Sequence, residues 1–233
     1  PDAGPRGQRF GRAERLSSLV RALPILIVVL ATIGGMYTGF FTPVEASAIG
    51  AFLTFVVALA RRSLNWSASK QVILETMNAI ATVFMIIIGA FVFIPFMSLT
   101  ELPAQLVTIL TSLPIGEIGI LLIVVLIYMF LGMFLEAMAM LVLTIPVVIP
   151  IAVALDWDLI WFGIIVVIVL EMGMISPPVG INVFIVKSIA QDVPMSTIFR
   201  GIWPFWFAMA AMIGLLIVFP QIALYLPQAV VGG

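Results

Sequence analysis

The sequence predicts an all-α polytopic membrane protein with two of its apolar segments interrupted in the middle. Three observations lead there. Hydrophobic residues make up 64% of the chain and charged ones 9%, too few charges to coat a soluble domain of 233 residues. Several apolar runs reach the roughly 20-residue length that spans a hydrocarbon core. Two more, 120–151 and 159–187, carry glycine, proline and acidic residues where a lipid-facing helix has no use for them.

The lead-in "PDAGPRGQRFGRAER" is polar and basic, and it begins with proline, which suggests a processed product or part of a longer chain. The apolar runs are too many and too long for a secretory signal. The first spans about Leu23 to Phe41 and the second about Val44 to Ala60. Between them, Thr42-Pro43-Val44-Glu45 has the form of a capping box, with Thr42 as N-cap, Pro43 at the first helical position and Glu45 reaching back to a free amide. A docking or ion site at this motif is a second reading, but a helix start suffices to explain it.

A third run, about Ile80 to Leu99, follows the polar "RRSLNWSASKQ". Residues 104–114 are too short to cross and read as an interfacial or connecting helix. The segment from Ile120 to about Ile151 is interrupted by "LGMFLEAMAM". "ALDWDLIWFG" then makes a loop, the segment containing "EMGMISPPVGINVF" follows, "SIAQDVPMSTIFRG" makes another loop, and a last span runs from about Ile202 to Leu226.

Basic residues mark the cytoplasmic side. If 120–151 is a re-entrant hairpin and every other long run crosses once, all ten lysines and arginines fall on one side, from the lead-in through Arg61, Arg62, Lys70, Lys187 and Arg200. A full crossing by 120–151 would put Lys187 and Arg200 opposite the rest, so the charge pattern favours the hairpin. Trp66, Trp157, Trp161, Trp203 and Trp206 lie near span ends, as interfacial tryptophans do.

With no cysteine and no histidine, disulfides, thiol nucleophiles, imidazole metal sites and haem ligation are excluded together. A bound metal must be held by oxygen, which favours a hard cation. No glycine-lysine phosphate loop and no soluble nucleotide domain stands in the sequence, so an ion gradient is the expected energy source. The chain is not expected to be an enzyme, to need a cofactor or to bind nucleic acid.

Two polar places stand out at membrane depth. At the hairpin tip, Gly132 to Ala137, the chain must turn and expose amides and carbonyls, and Glu136 adds a carboxylate where unpaired charge costs several kcal/mol. In the second, Pro177 and Pro178 lack amide donors, which releases carbonyls about one turn earlier, and Gly180 permits a non-helical turn. Those carbonyls with Ser176 and Asn182 form a neutral, oxygen-rich setting for an alkali cation, while the helix restarting near Gly180 points its positive end at the same place. Simpler explanations exist for each feature. A proline pair can be only a kink, Glu136 and Glu171 can be structural carboxylates paired inside the bundle, and the thirteen methionines can be adaptable packing.

The succession "GMYTGFFTPVEASAIGAF", "LGMFLEAMAMLVLTIPVVIP", "WFGIIVVIVLEMGMISPPVGINVFIV" and "RGIWPFW" resembles the large membrane subunit of tripartite ATP-independent periplasmic (TRAP) transporters, over about residues 20–227. The resemblance implies an elevator-type carrier importing organic acids, such as dicarboxylates or sialic acids, with sodium as coupling ion across a bacterial or archaeal inner membrane. It implies a small membrane subunit and a periplasmic substrate-binding protein as partners. The family's large subunit is about twice as long, so the match is to its carboxy-terminal half and the remaining amino-terminal half is a further partner.

On that pattern residues 1–22 are a basic cytoplasmic lead-in, and 23–117 are scaffold-type helices with a connecting arm. Residues 118–200 are a transport-type region with the hairpin (118–151) and broken helix (159–187), and 201–233 are a terminal transmembrane helix. The sodium-binding residues are expected to be Gly132, Met133, Ser176, Pro177, Pro178, Val179, Gly180 and Asn182, largely through backbone carbonyls, with Glu136, Ala137 and Glu171 in substrate binding or coupling. The family commonly has aspartate at the hairpin tip where this chain has Glu136. Rival readings are another ion-coupled carboxylate or anion carrier of similar hairpin architecture, and a non-transporting membrane assembly subunit.

Overall fold

The computed structural model describes residues 11–231, and among them the regular structure is ten α-helices. They are α1 (Arg12–Tyr37), α2 (Pro43–Ala60), α3 (Trp66–Leu99), α4 (Leu102–Ser112), α5 (Gly116–Gly132), α6 (Ala137–Ala154), α7 (Leu159–Ile175), α8 (Ile181–Ile189), α9 (Met195–Val218) and α10 (Gln221–Val231). Residues 1–10 of the basic lead-in and the last two of the terminal segment lie outside the described residues. The chain divides into two units within α3, one of Pro1–Glu75 with Val230–Gly233 and one of Thr76–Ala229.

In the first unit α1 and α2 pack side by side. The turn between them closes on two glycines: Gly34 O accepts from Thr38 N at 3.0 Å, and Gly35 O from Phe40 N at 2.9 Å. The ring of Phe41 lies over Gly35 so closely that a Cβ there would fall 2.1 Å from it. Thr42 then caps α2. Its hydroxyl accepts from Glu45 N at 3.3 Å, the Glu45 carboxylate accepts from Thr42 N at 2.8 Å, and Pro43 opens the helix. Helix α3 begins at Trp66, well before the apolar run at Ile80, because Asn65 accepts from Ala68 N at 2.8 Å and starts the helix in the polar segment. Hydropathy marks where apolar residues lie, whereas backbone hydrogen bonding carries on through polar ones.

The second unit is organised around α7, whose buried residues, from Trp161 and Phe162 to Met172 and Gly173, share one half of the helix while Ile160, Val167 and Glu171 are exposed on the other. It packs against α5, α6, α8 and α9. Tyr128, Leu121, Met140, Ile165, Val169 and Leu216 form the centre of this core. Helices α5 and α6 fold back on each other through a turn at 133–136, and Tyr128 on one arm is hydrogen-bonded to Thr144 on the other. Helix α4 packs along α6.

Pro43–Ala60, Trp66–Leu99, Ala137–Ala154 and Met195–Val218 are long and apolar enough to cross a membrane. Large apolar side chains such as Phe52, Phe55, Phe84, Phe91 and Leu126 are exposed along the helices, as they are on a protein whose solvent is lipid. The protein is a multi-pass membrane protein. The hairpin arms contain 17 and 18 residues, about 26 Å each at 1.5 Å per residue, so length alone would let each arm cross. Whether the arms cross or turn back midway, a hairpin of this form returns the chain to the side it entered.

The broken helix starts at Leu159, as the expected segment 159–187 has it, so the loop "ALDWDLIWFG" is cut short at Asp158, which caps α7 by accepting from Ile160 N at 2.8 Å and Trp161 N at 3.1 Å. Two other boundaries differ from the sequence expectation. Helix α9 begins at Met195, inside the expected loop before 202, directly after Pro194. The last span is two helices, since Pro220 cannot continue the ladder and the chain breaks at Phe219 between α9 and α10.

Candidate functional site

The hairpin turn leaves part of its backbone without partners. Leu131 O accepts from Phe134 N at 3.0 Å and Leu135 N at 2.9 Å, and Glu136 O resumes the ladder with Met140 N at 2.9 Å. Between them the carbonyls of Gly132, Met133, Phe134 and Leu135 receive no hydrogen bond among the described residues. Met133 is the C-cap of α5, in right-handed helical conformation, with its N–H on Phe130 O.

Glu136 is placed by the helix that follows. It is the N-cap of α6, and one carboxylate oxygen accepts from Met138 N at 2.9 Å and Ala139 N at 3.1 Å. The charge at the tip is therefore held by a helix N-terminus, where backbone dipoles favour it. Asp158 caps α7 through the same two positions, one residue type shorter. Ala137 is the first residue of α6 and is half-buried.

The second interruption separates α7 from α8. Its hydrogen bonding follows from which residues lack an N–H. Pro177 cannot serve Gly173 O, and that carbonyl is retaken by Ser176 N at 2.9 Å, so it is not released as the proline count alone implies. Met172 O, deprived of Ser176 N, accepts from the Ser176 hydroxyl instead. The carbonyls of Met174 and Ile175 and of Ser176 through Val179 remain without a partner among the described residues. The Pro177-Pro178 peptide bond is cis. Gly180 is buried at φ +58 and caps α8, where a Cβ would fall 3.0 Å from Ser176 O. No side chain among the described residues caps α8, and the amides of Ile181 and Asn182 have no partner among them.

The side chains differ in what they offer. Ser176 is 2% exposed, and besides donating to Met172 O it accepts from Trp206 Nε1 of α9 at 3.0 Å. Asn182, half-buried in the first turn of α8, makes no side-chain hydrogen bond among the described residues. Val179 is half-buried, and Pro177 and Pro178 are exposed. Glu171 is exposed on α7 and has no partner among the described residues.

The two interruptions are brought together by a contact not expected from the sequence. Gly132, the last residue of α5, abuts Gly173, one turn ahead of the break. A Cβ on Gly173 would lie 2.8 Å from Gly132 Cα, and one on Gly132 would lie 3.1 Å from Gly173 Cα. Gly173 was legible only as one more residue of "EMGMI"; its role depends on which helix passes beside it.

Another proline break in the same unit is closed, and shows the contrast. Pro220 deprives Leu216 O of its donor, and the indole of Trp161 supplies one at 2.8 Å, buried in the core. Trp161 and Trp206 thus carry hydrogen bonds within the bundle, a duty beyond that of interfacial anchors. A cleft of about 640 Å³ between α3, α4 and the hairpin arms, lined by Phe93, Leu110, Leu131 and Val147 among others, is almost wholly apolar and offers no ligand set. A smaller one, of about 280 Å³, lies near Glu117, Asp156 and Trp157, at the other end of α5 from the tip. Among the described residues no group of three or more acidic side chains stands together, and the unpartnered carbonyls at the breaks are neutral oxygens.

Comparison with known proteins agrees with this architecture. The family described as "Tripartite ATP-independent periplasmic transporter, DctM component" matches residues 3–222. The chain is 31% identical to the sialic acid TRAP transporter large permease protein SiaM of Vibrio cholerae, covering 96% of this chain and 52% of that protein. It is 30% identical to the C4-dicarboxylate TRAP transporter large permease protein DctM of Pseudomonas aeruginosa, again over 96% of this chain and 52% of the relative. With the isethionate TRAP transporter permease protein DctMQ of Oleidesulfovibrio alaskensis it shares 28% identity, over 71% of this chain and 26% of that protein. The chain spans about half the length of the first two of these curated relatives. With the match running through both helix interruptions, the chain belongs to the DctM component family of tripartite ATP-independent periplasmic transporters.

Proposed function

We propose that this chain is the carboxy-terminal half of the large permease of a sodium-coupled importer of organic acids. It would act in the cytoplasmic membrane of a bacterium or archaeon with a small membrane subunit, a periplasmic substrate-binding protein and the amino-terminal half of the permease. The observation that carries the proposal is the pairing of two helix interruptions. Unpartnered carbonyls at 132–135 and 174–179 are held near one another by the Gly132–Gly173 contact.

Unpaired carbonyls at membrane depth are costly unless a polar cavity or an ion satisfies them. Sodium, taken as a co-transported substrate, is suited to neutral oxygens of this kind, from Gly132, Met133, the Ser176–Val179 turn and the Asn182 amide. Pro177 and Pro178 contribute by withholding amides, and Gly180 by allowing the left-handed turn. The uncapped N-terminus of α8 favours an anion beside the cation, such as a substrate carboxylate. The relatives are named for sialic acid, C4-dicarboxylate and isethionate, all organic anions. Glu136 holds the tip in shape through its cap, and exposed Glu171 faces whatever covers α7 in the complete permease.

In mechanism, sodium would bind more tightly when the tip is seated against the break than when it is not, and so shift the population toward the seated form that offers α8 to substrate. The hairpin and broken helix would then move together as an elevator. The test is uptake of labelled organic acids by the complete transporter, with and without sodium. Ser176→Ala combined with Asn182→Ala raises the sodium concentration needed for half-maximal uptake; unchanged sodium dependence would remove the site.

A further inference from the structure

We infer that Trp206 is a positioning residue for the ion site, acting through the hydroxyl of Ser176; the inference rests on the sodium reading of the break. A serine hydroxyl has one proton and two acceptor positions. In Ser176 the proton is committed to Met172 O, and one acceptor position is taken by Trp206 Nε1 at 3.0 Å. One acceptor position is left.

To ligate a cation, a hydroxyl must present a lone pair and turn its proton away. The indole N–H enforces that orientation, because turning the proton toward α9 would set two hydrogens face to face. The residue is 2% exposed, so water is not at hand to compensate for a wrong rotation. Trp206 is itself held in place: its ring packs on Trp203 at 5.6 Å and Phe207 at 5.3 Å between centroids. The indole of Trp203, on the same helix and in the same aromatic group, makes no hydrogen bond among the described residues, so packing and donation are separable between the two residues.

The experiment measures half-saturating sodium for uptake by the complete transporter in proteoliposomes. Trp206→Phe keeps a ring and removes the donor, and raises half-saturating sodium about three- to tenfold, the scale of one lost hydrogen bond. Trp203→Phe leaves it at the wild-type value. In a Ser176→Ala background, Trp206→Phe adds nothing further, since the hydroxyl it orients is gone.

Wild-type sodium dependence in Trp206→Phe, an equal shift in Trp203→Phe, or multiplicative effects of Ser176→Ala and Trp206→Phe would each overturn the role of Trp206. If Ser176→Ala with Asn182→Ala leaves sodium dependence unchanged, the ion site itself is wrong. A second measurement needs no substitution at 206. Tryptophan emission of the purified transporter changes on titration with sodium and not with potassium, and Ser176→Ala abolishes the change. Absence of a sodium-specific change in the wild type overturns the inference.

Discussion

Gly132 and Gly173 touch backbone to backbone, and this contact joins the hairpin tip to the last turn of α7 before its break. It sets how far the unpartnered carbonyls of one interruption lie from those of the other. Close approach of helices in a membrane requires small residues, because any side chain at the crossing moves the backbones apart. The two positions are not equivalent. A Cβ on Gly173 would also fall 2.9 Å from Met129 O, whereas one on Gly132 would stand 3.3 Å from Leu170 O.

Gly173→Ala is therefore expected to destabilise the permease by about 1–3 kcal/mol, and Gly132→Ala by less. Thermal unfolding of the purified transporter in detergent measures both. Two neutral substitutions, or the reverse order, would contradict the crossing described.

Glu136→Ala removes the acceptor for Met138 N and Ala139 N and should cost about 1 kcal/mol of stability. Glu136→Asn restores a neutral cap and most of that stability. If uptake returns with it, capping is the residue's whole task. Uptake that stays low despite restored stability assigns the negative charge a part in coupling.

Gly180→Ala meets two obstacles at once. Its φ of +58 costs a side-chain-bearing residue roughly 1–2 kcal/mol, and the new Cβ would press on Ser176 O and Val183 Cγ2, each at 3.0 Å. The turn shifts, and half-saturating sodium for uptake rises. Unchanged sodium dependence would mean that the turn's geometry is irrelevant to the ion.

Trp161→Phe leaves Leu216 O, which Pro220 cannot serve, buried and without a donor. The expected loss is about 1–3 kcal/mol, read as a lower unfolding temperature. Sodium dependence should stay as in the wild type, since Trp161 lies at the opposite end of α7 from the break. A change in sodium dependence without one in stability would contradict this assignment.

Much of the fold was legible locally. Thr42, Pro43 and Glu45 announce a helix start whatever surrounds them, because the capping box closes within four residues. The apolar run 120–151 shows its turn at "LGMFLE" through composition alone, and Pro177-Pro178 must interrupt hydrogen bonding in any environment. Helix limits were less legible, as at Trp66, where Asn65 acts as a cap inside a stretch that looks like a loop.

The sequence by itself determined that this is an all-α membrane protein of the DctM component family and where its backbone loses hydrogen-bond donors. Only the tertiary structure decided which of the losses are made good. The carbonyl exposed by Pro220 is filled by Trp161, 55 residues away, and Ser176 is shared between Met172 and Trp206. Among the described residues the carbonyls beside Pro177 and at the hairpin turn stay open, and Gly132 against Gly173 brings them together. The reason is physical: a missing N–H is a property of one residue, whereas its replacement depends on which side chain another helix carries past it.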